Sequence, residues 1–598
     1  MQIFIYINYI RFVSSLSNII IKVIFAATFF TKSIKPTFER KISFLDLGNL
    51  CHGKKLLEDT IVIDGAEIYL PNHIYETEPR DSFARQSNVI QLWDLAGLPS
   101  HLEKSIHSFD WLYDLRMINS TAARKIALSW ILEWVARYGG GRGPGWSIEE
   151  VSKRVIALVE NKDLFEKPPF GGVEPYEKVN KNINRIISRS LRLLNLYSLI
   201  SFKKRDQLFI KSAIFFMEYY KGSDRKILGK FLQRVGRTSK NLVNKHGEIE
   251  SRNPEELLEI FVHLEKLRNY GRQLNIYGVA DGSFIDTAVM NAAKTLKSLR
   301  FENGRLFTGM GSDGGSEAFL NVLSSVEYPK KPIRDGTCMG YYVMQVNRLK
   351  IISDVENAPK FDSTGMAHAG MLSFEFSSGL RKIVVNCGSG HRHDSYIQRQ
   401  NRSTYAHSTL ELSDQRQARF LPVWPRSLRP QDRMLRMSQK NTNVKTSVNN
   451  TYKMLEAEHS CYETRFGITH KRILKLGING NHLIGSDELV YYDTVNNNIP
   501  FRLYFHLHPD VDVWHIETNN SMILKLQNGE TWLFSHKGGD LFLADSAYFG
   551  RGDVTVRNSK QIVVSSNKKK YTKRIEWSFQ NQTSGLRSYR DIGLENIG

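Results

Sequence analysis

The sequence predicts an all-α unit followed by an antiparallel β-sandwich, and two observations carry the prediction. Apolar residues recur at the helical period of about 3.6 between residues 90 and 300, and at a period of two beyond about residue 335. Strands and helices do not alternate along the chain, which argues against a parallel sheet with crossover helices. A block of helices followed by a block of strands instead packs as two domains.

The first 36 residues come before either pattern. Apolar runs at 3–10, 12–21 and 23–30 are split by Arg11 and Lys22. No uninterrupted stretch of about 18 apolar residues remains, so a membrane-spanning helix is not expected. The segment fits either a late-starting secretory signal or an amphipathic helix lying on a membrane surface. Residues 1–60 are read as this segment and a linker.

The helical unit is assigned to residues 61–325. After Ser120, the residues Ile126, Trp130, Trp134 and Tyr138 recur every four positions as one apolar stripe, and Gly139-Gly140-Gly141 stops the helix. A second helix starts at Asn253-Pro254-Glu255-Glu256, with a capping side chain, a first-turn proline and acids that complement the helix dipole. Its residues Leu257, Ile260, Phe261, Leu264 and Leu267 face a core. Helical patterns also cover 151–159, 183–199, 206–220 and 284–299.

The β unit is assigned to residues 326–598. Leu372, Phe374 and Phe376 alternate with Ser373 and Glu375, Ser377-Ser378-Gly379 supplies a turn, and Lys382-Ile383-Val384-Val385 follows, which reads as a hairpin. Further short strands are expected at 501–507 and 531–534. Residues 421–458 are polar, basic and poor in apolar side chains, and are expected to form a long surface insertion.

The 598 residues are 41 % apolar and 11 % aromatic, enough for large cores, so disorder throughout is excluded. The 82 Lys and Arg against 61 Asp and Glu give 82 − 61 = +21, a field that attracts polyanions or anionic lipid, unless it is only compositional drift. There is no Walker loop, no paired Cys-x-x-Cys and no basic region followed by heptads, so nucleic acid is not the expected partner. Cys51, Cys338, Cys387 and Cys461 are far apart and show no metal, redox or disulfide spacing.

Three sets of residues carry a family resemblance. The helical half has His107-Ser108-Phe109-Asp110-Trp111-Leu112-Tyr113-Asp114-Leu115-Arg116, then Trp134, Pro144-Gly145-Trp146, Val151 and Arg154. Ser251-Arg252-Asn253-Pro254-Glu255 follows. The β half has Ala367-His368-Ala369-Gly370-Met371-Leu372-Ser373-Phe374-Glu375, Val385-Asn386-Cys387-Gly388 and Tyr405-Ala406-His407-Ser408-Thr409-Leu410. Together, over about residues 60–580, these resemble the heparinase II/III family of polysaccharide lyases, in particular the heparinase II/III-like proteins of α-proteobacteria. The resemblance implies an incomplete (α/α) toroid followed by an antiparallel β-sandwich. It also implies cleavage of a uronic-acid-containing polysaccharide by β-elimination.

The resemblance further implies where the chemistry should sit. Active relatives look like Ala-His-Ala-His-Ala-Asp-x-Leu-Ser-Phe, with a catalytic first His and a metal-binding second His. Matched to Leu372-Ser373-Phe374, the metal-type His falls on His368, the catalytic His on Met366 and the Asp on Gly370. The other metal-type positions fall on Asn386 and His407. A structural Zn2+ held by His368, Asn386 and His407 is thus one expectation, weakened by the loss of an anionic ligand; hydrogen bonds from the two imidazoles at a sheet end are the other. The general-acid Tyr after the Pro is replaced by Glu255, Glu256 and Leu257.

Arg252 can neutralise a uronate carboxylate with its planar fork or form a salt bridge to a neighbouring acid. With Arg402 and His246 it makes up the expected substrate-binding set. Tyr405 and His407, with Arg252, are the expected substitute catalytic groups. His391-Arg392-His393-Asp394 reads as a solvated turn.

The expected partner is an acidic polysaccharide or oligosaccharide, with peripheral membrane contact through residues 1–36. The expected location is the cell envelope or periplasm, with the cytoplasm as alternative. A non-catalytic acidic-glycan-binding envelope protein and a membrane-peripheral basic protein are the alternative functions.

Overall fold

In a computed structural model of the chain, the capping residues do what their chemistry suggests. The Asn253 Oδ1 accepts from the amides of Glu255 (2.8 Å) and Glu256 (3.2 Å) and opens the helix Pro254–Gln273. The Ser120 hydroxyl accepts from the Ala123 amide and opens Thr121–Tyr138, whose buried face is Ala123, Ala127, Trp130, Ile131 and Trp134. The structure describes residues 45–583 except 46, 64–65, 71, 74–88, 91, 96–97, 99, 142, 167–173, 277–282, 326–330, 360–365, 392, 394, 414–415, 422–433, 438–441, 492–498, 551–555 and 567–571. The N-terminal segment 1–36 lies outside the described residues.

The chain divides into two units. The first comprises Met1–Lys245, Ile260–Val289 and Ser316–Glu327, and the second His246–Glu259, Met290–Gly315 and Tyr328–Gly598. The first is built on helices, among them Ile148–Glu160, Glu174–Ile200, Lys204–Tyr220 and Arg225–Leu242. An aromatic group packs inside it, where Trp134 meets Phe109 edge to face at 5.4 Å and Trp111 meets Trp130 at 5.0 Å. The buried Arg154 guanidinium lies 4.2 Å over Trp134 and donates to the carbonyls of His107 and Gly145. The conspicuous His-Ser-Phe-Asp-Trp, Pro-Gly-Trp and Arg154 elements of the sequence therefore serve this core.

The second unit contains two large antiparallel sheets. In spatial order the first runs Asp540–Tyr548, Arg557–Ser566, Phe501–Leu507, Arg381–Val385, Phe374–Ser378, Leu349–Asp354, Tyr341–Val346, Asp335–Cys338, with Leu410–Leu412 also paired to Phe501–Leu507. The second runs Thr442–Val448, Tyr452–His459, Ile468–Gly477, His482–Tyr491, Arg574–Asn581, Thr531–Lys537, Ser521–Leu526, Val511–Ile516. Side chains of both sheets, including Phe374, Phe376, Phe505, Trp532, Trp577 and Phe579, share one core, as the alternating pattern requires.

One expectation is corrected here. The stretch 421–458 is not a surface insertion throughout, because Thr442–Val448 and Tyr452–His459 form a hairpin at the edge of the second sheet. Residues 443–448 are exposed on that edge strand, which explains why their sequence is polar.

Candidate functional site

All seven of the expected site residues belong to the second unit. The strands Arg381–Val385 and Leu410–Leu412 bring the central ones together. Asn386 directly follows the first strand, and His407 follows the one-turn helix Thr404–Ala406 that leads into the second. The Asn386 Oδ1 accepts from the Ser408 amide at 3.1 Å, the Ser408 hydroxyl donates to the Val385 carbonyl at 2.7 Å, and the Cys387 amide donates to the Ala406 carbonyl at 3.0 Å.

The imidazoles of His368 and His407 meet edge to face with ring centres 5.1 Å apart and 3.0 Å between His368 Nδ1 and His407 Nε2. The His407 Nδ1 lies 2.8 Å from the Ser403 carbonyl and must donate to it, so its Nε2 accepts and the proton between the rings belongs to His368 Nδ1. Both rings are buried and neutral. Burial, then His407 and Arg402, push His368 well below the ordinary histidine value; burial brings His407 down to about 4. The His368 Nε2 and the Asn386 Nδ2 are buried without a hydrogen-bond partner.

This donor set does not fit a structural Zn2+. Two neutral imidazoles already bonded to each other and an amide oxygen already bonded to Ser408 bring no negative charge, and the Arg402 cation lies nearby. No cluster of three or more His, Cys, Asp or Glu suited to a metal occurs among the described residues.

Arg252 is placed differently from a substrate contact. All five of its N–H donors are engaged: Nε with Met339 O (3.2 Å), Nη1 with Glu356 O (2.9 Å) and Asn357 O (2.7 Å), Nη2 with Gly340 O (2.9 Å) and the Asp354 carboxylate. It lies over the Tyr341 ring, whose hydroxyl donates back to the Arg252 carbonyl at 2.6 Å. The residue is a buried clamp whose fork is filled by protein oxygens. Arg402 is also buried, and its Nε donates to the Ala367 carbonyl at 2.9 Å beside the imidazole pair.

The Tyr405 hydroxyl donates to Gln400, and burial raises its proton affinity. His246 is exposed, its carbonyl accepting from Thr295 at 3.1 Å. Thus the fold gathers His368, Asn386, Arg402, Tyr405 and His407 around the 367–370 and 402–408 segments, and places Arg252 in a separate clamp.

Sequence reasoning missed a second cluster, built from two loops about 76 residues apart in sequence. The buried Asp313 accepts at Oδ1 from the Ser389 amide (2.6 Å) and at Oδ2 from the Ser389 hydroxyl (2.8 Å), and His391 Nδ1 lies 3.0 Å from the same Oδ2. His391 is partly exposed. Gly388, at φ +94, lets the loop close on the carboxylate, since a Cβ there would stand 3.1 Å from Asp313 Oδ1. The sequence signals were the His-rich turn from His391, read above as solvated, and glycine punctuation in Gly309-Met310-Gly311-Ser312-Asp313-Gly314-Gly315 and Gly388-Ser389-Gly390-His391. Arg392 and Asp394 of the His-rich turn lie outside the described residues.

Residues 329–578 match the family described as Heparinase II/III-like, C-terminal. The second unit thus resembles, over those residues, the heparinase II/III-like C-terminal domain. The whole chain resembles the crystal structure of heparinase III with a TM-score of 0.65 at 12 % identity, covering 95 % of this chain and 90 % of that one. It also resembles a mutant of heparan sulfate lyase HepC from Pedobacter heparinus, with a TM-score of 0.54, 14 % identity, and 95 % and 88 % of the two chains covered. The fold is therefore that of heparinase III, a helical region followed by antiparallel sheets, in agreement with the expected toroid and sandwich. Among characterised proteins the chain is 22 % identical over 539 residues to FtsZ-localized protein C of Caulobacter vibrioides, covering 86 % of this chain and 85 % of that protein.

Within the heparinase II/III-like domain, Met366, where active relatives are expected to have a His, is exposed and receives a long contact from Gln398 Nε2 at 3.6 Å. Glu255, which stands after the Pro in place of Tyr, accepts from the Asp313 amide at 2.8 Å. Gly311, at φ +91, lies against both the Met366 carbonyl and the Asn253 side chain. The two replaced positions therefore border the Asp313 loop.

Proposed function

We propose that the protein acts on an acidic, uronic-acid-containing polysaccharide as a carbon–oxygen lyase, by β-elimination. The observation that carries this reading is a heparinase II/III-like domain in a chain that follows the heparinase III fold over 95 % of its length. The net charge of +21 suits an acidic polymer. Elimination converts a uronate into a C4–C5 unsaturated sugar that absorbs in the ultraviolet. Incubating the full chain with a panel of uronic-acid polymers and following that absorbance tests the reading, and no absorbance from any of them overturns it. An envelope or periplasmic location, with membrane contact through residues 1–36, belongs to the same reading. Vesicle pelleting that is lost when 1–36 are deleted checks the contact.

A second reading is favoured by one specific observation. A relative that aligns with 86 % of this chain is named for its localisation to FtsZ, and the positions matched to the family's catalytic His and Tyr are Met366 and Glu255. On this reading the heparinase fold is kept as a binding scaffold in cell division. Co-sedimentation with FtsZ polymers supports it, and a fluorescent fusion spread evenly through dividing cells counts against it.

A further inference from the structure

We propose that His391, oriented by Asp313, is the proton-transfer group that takes over from the residues lost at Met366 and Glu255. The inference rests on the lyase reading and names a residue for it.

Three features of the second unit lead there. The first is orientation. Asp313 is buried and fixed by the Ser389 amide and hydroxyl, and its Oδ2 faces His391 Nδ1 at 3.0 Å. The Ser389 oxygen and the Asp313 carboxylate together hold the Nδ1 proton in place and the carboxylate stabilises the imidazolium, and the lone pair of the neutral ring is then on Nε2, as a general base requires. The Ser389 hydroxyl donates to Asp313, and its oxygen lies against both the His391 amide (3.1 Å) and His391 Nδ1 (2.5 Å), so the Nδ1 proton is shared between the Ser389 oxygen and Asp313 Oδ2.

The second is position. The Asp313 amide holds Glu255, and a Cβ on Gly311, two residues earlier, would stand 2.9 Å from the Met366 carbonyl and 3.3 Å from Asn253 Nδ2. Asp313 thus links His391 to the loop that borders both places where a base and an acid are expected in the fold. Asp313 and His391 also lie within electrostatic reach of His368.

The third is unsatisfied polarity around the same loop. His368 Nε2, Asn386 Nδ2 and Asn401 Nδ2 are buried with no hydrogen-bond partner, and the Asn401 amide stands 2.8 Å from where a Cβ on Gly390 would be. Such groups cost free energy unless something polar completes them.

The step balances with one imidazole. His391 Nε2 removes the C5 proton, the electron pair of that C–H bond forms the C4=C5 double bond, and the C4–O4 bond breaks. The imidazolium then returns the proton to the departing O4, leaving His391 neutral for the next turnover. Asp313 acts as a positioning residue and does not change its protonation.

The test compares the full chain with His391→Asn, which keeps a donor near the Nδ1 position for Asp313 but has no nitrogen at the Nε2 position, and with Asp313→Asn. His393→Asn, in the same turn with its ring on Phe549, serves as control. On a uronic-acid polymer cleaved by the wild type, His391→Asn is expected to lower kcat by about 100- to 10,000-fold, the usual weight of general acid–base catalysis. Asp313→Asn lowers kcat with KM little changed, and His393→Asn retains full rate. Thermal unfolding of each variant separates loss of chemistry from loss of fold. Wild-type rate in a folded His391→Asn overturns the assignment while leaving the lyase reading intact, and so does an equal loss in His393→Asn. A wild type silent on every polymer overturns both.

Discussion

His368 donates from Nδ1 to Nε2 of His407 across 3.0 Å, so two buried imidazoles are bonded to one another where the family resemblance implied a metal. The third member of the set, Asn386, spends its oxygen on the Ser408 amide. Replacing that neutral amide with a carboxylate supplies the missing charge. Asn386→Asp is therefore expected to retain about one equivalent of zinc after dialysis, with His368 and His407 completing the site, while the wild type retains none. Elemental analysis of both proteins decides, and stoichiometric zinc in the wild type refutes the misfit of its uncharged donor set to the metal.

Gly370 sets a further limit on this pair. A Cβ at that position would lie 2.5 Å from the His407 ring, closer than packed carbon atoms approach. Gly370→Ala is expected to push the ring away from His368 and cost about 1–3 kcal/mol, as overpacking does in a tight core. Gly370→Asp, which restores the residue matched from active relatives, is expected to cost at least as much. Urea unfolding monitored by tryptophan fluorescence checks both, and a Gly370→Asp variant as stable as the wild type argues that the rings have room to move.

Which parts of this architecture were legible in the sequence follows from the range of the forces involved. Ser120 and Asn253 act on amides two or three residues away, so their helices could be read from local chemistry. The hairpin through Phe374 and Val384 announced itself by its alternation. The edge strand Thr442–Val448 did not, because a strand with little buried surface keeps no apolar face. The imidazole pair could be named from motifs, but the Arg252 clamp depends on carbonyls 87 to 105 residues away, and Asp313 meets Ser389 across 76. Nothing in the spacing of either residue records such a partner.

Acid should loosen the second unit before carboxylates titrate. Burial brings His407 and His506 down to about 4, against an ordinary value near 6.5 in the unfolded chain. The unfolded state therefore takes up protons that the folded state refuses. The sign follows: stability from these groups is complete above about pH 6.5 and is lost as pH falls towards 4, by at most about 3 kcal/mol for each. Asp487, held down to about 2 by Arg472 and His470 against its burial, loses its share only below about pH 4. Denaturant midpoints should hold from pH 7.5 to about 6.5 and fall from there to 4.5, and a midpoint independent of pH across that range would contradict the neutral, buried state of both rings.

Arg252 offers the clearest contrast between a structural and a substrate role. Its five donors reach Met339, Gly340, Asp354, Glu356 and Asn357, so the guanidinium ties together two turns of the first sheet at the point where the helix Pro254–Gln273 begins. Burial opposes its charge, and the Asp354 carboxylate more than restores it, so the side chain stays ionised. Lysine keeps the charge but brings a single nitrogen with three donors, leaving at least two of those oxygens without their partner. Arg252→Lys is expected to cost about 2–4 kcal/mol, between a lost charge-assisted hydrogen bond and a broken buried ion pair. It should also lower the thermal midpoint of the second unit. At temperatures where the variant remains folded, its affinity for any uronic-acid polymer the wild type binds should be unchanged. A variant of normal stability with binding abolished would instead return Arg252 to the substrate, and would require the clamp to open when the polymer binds.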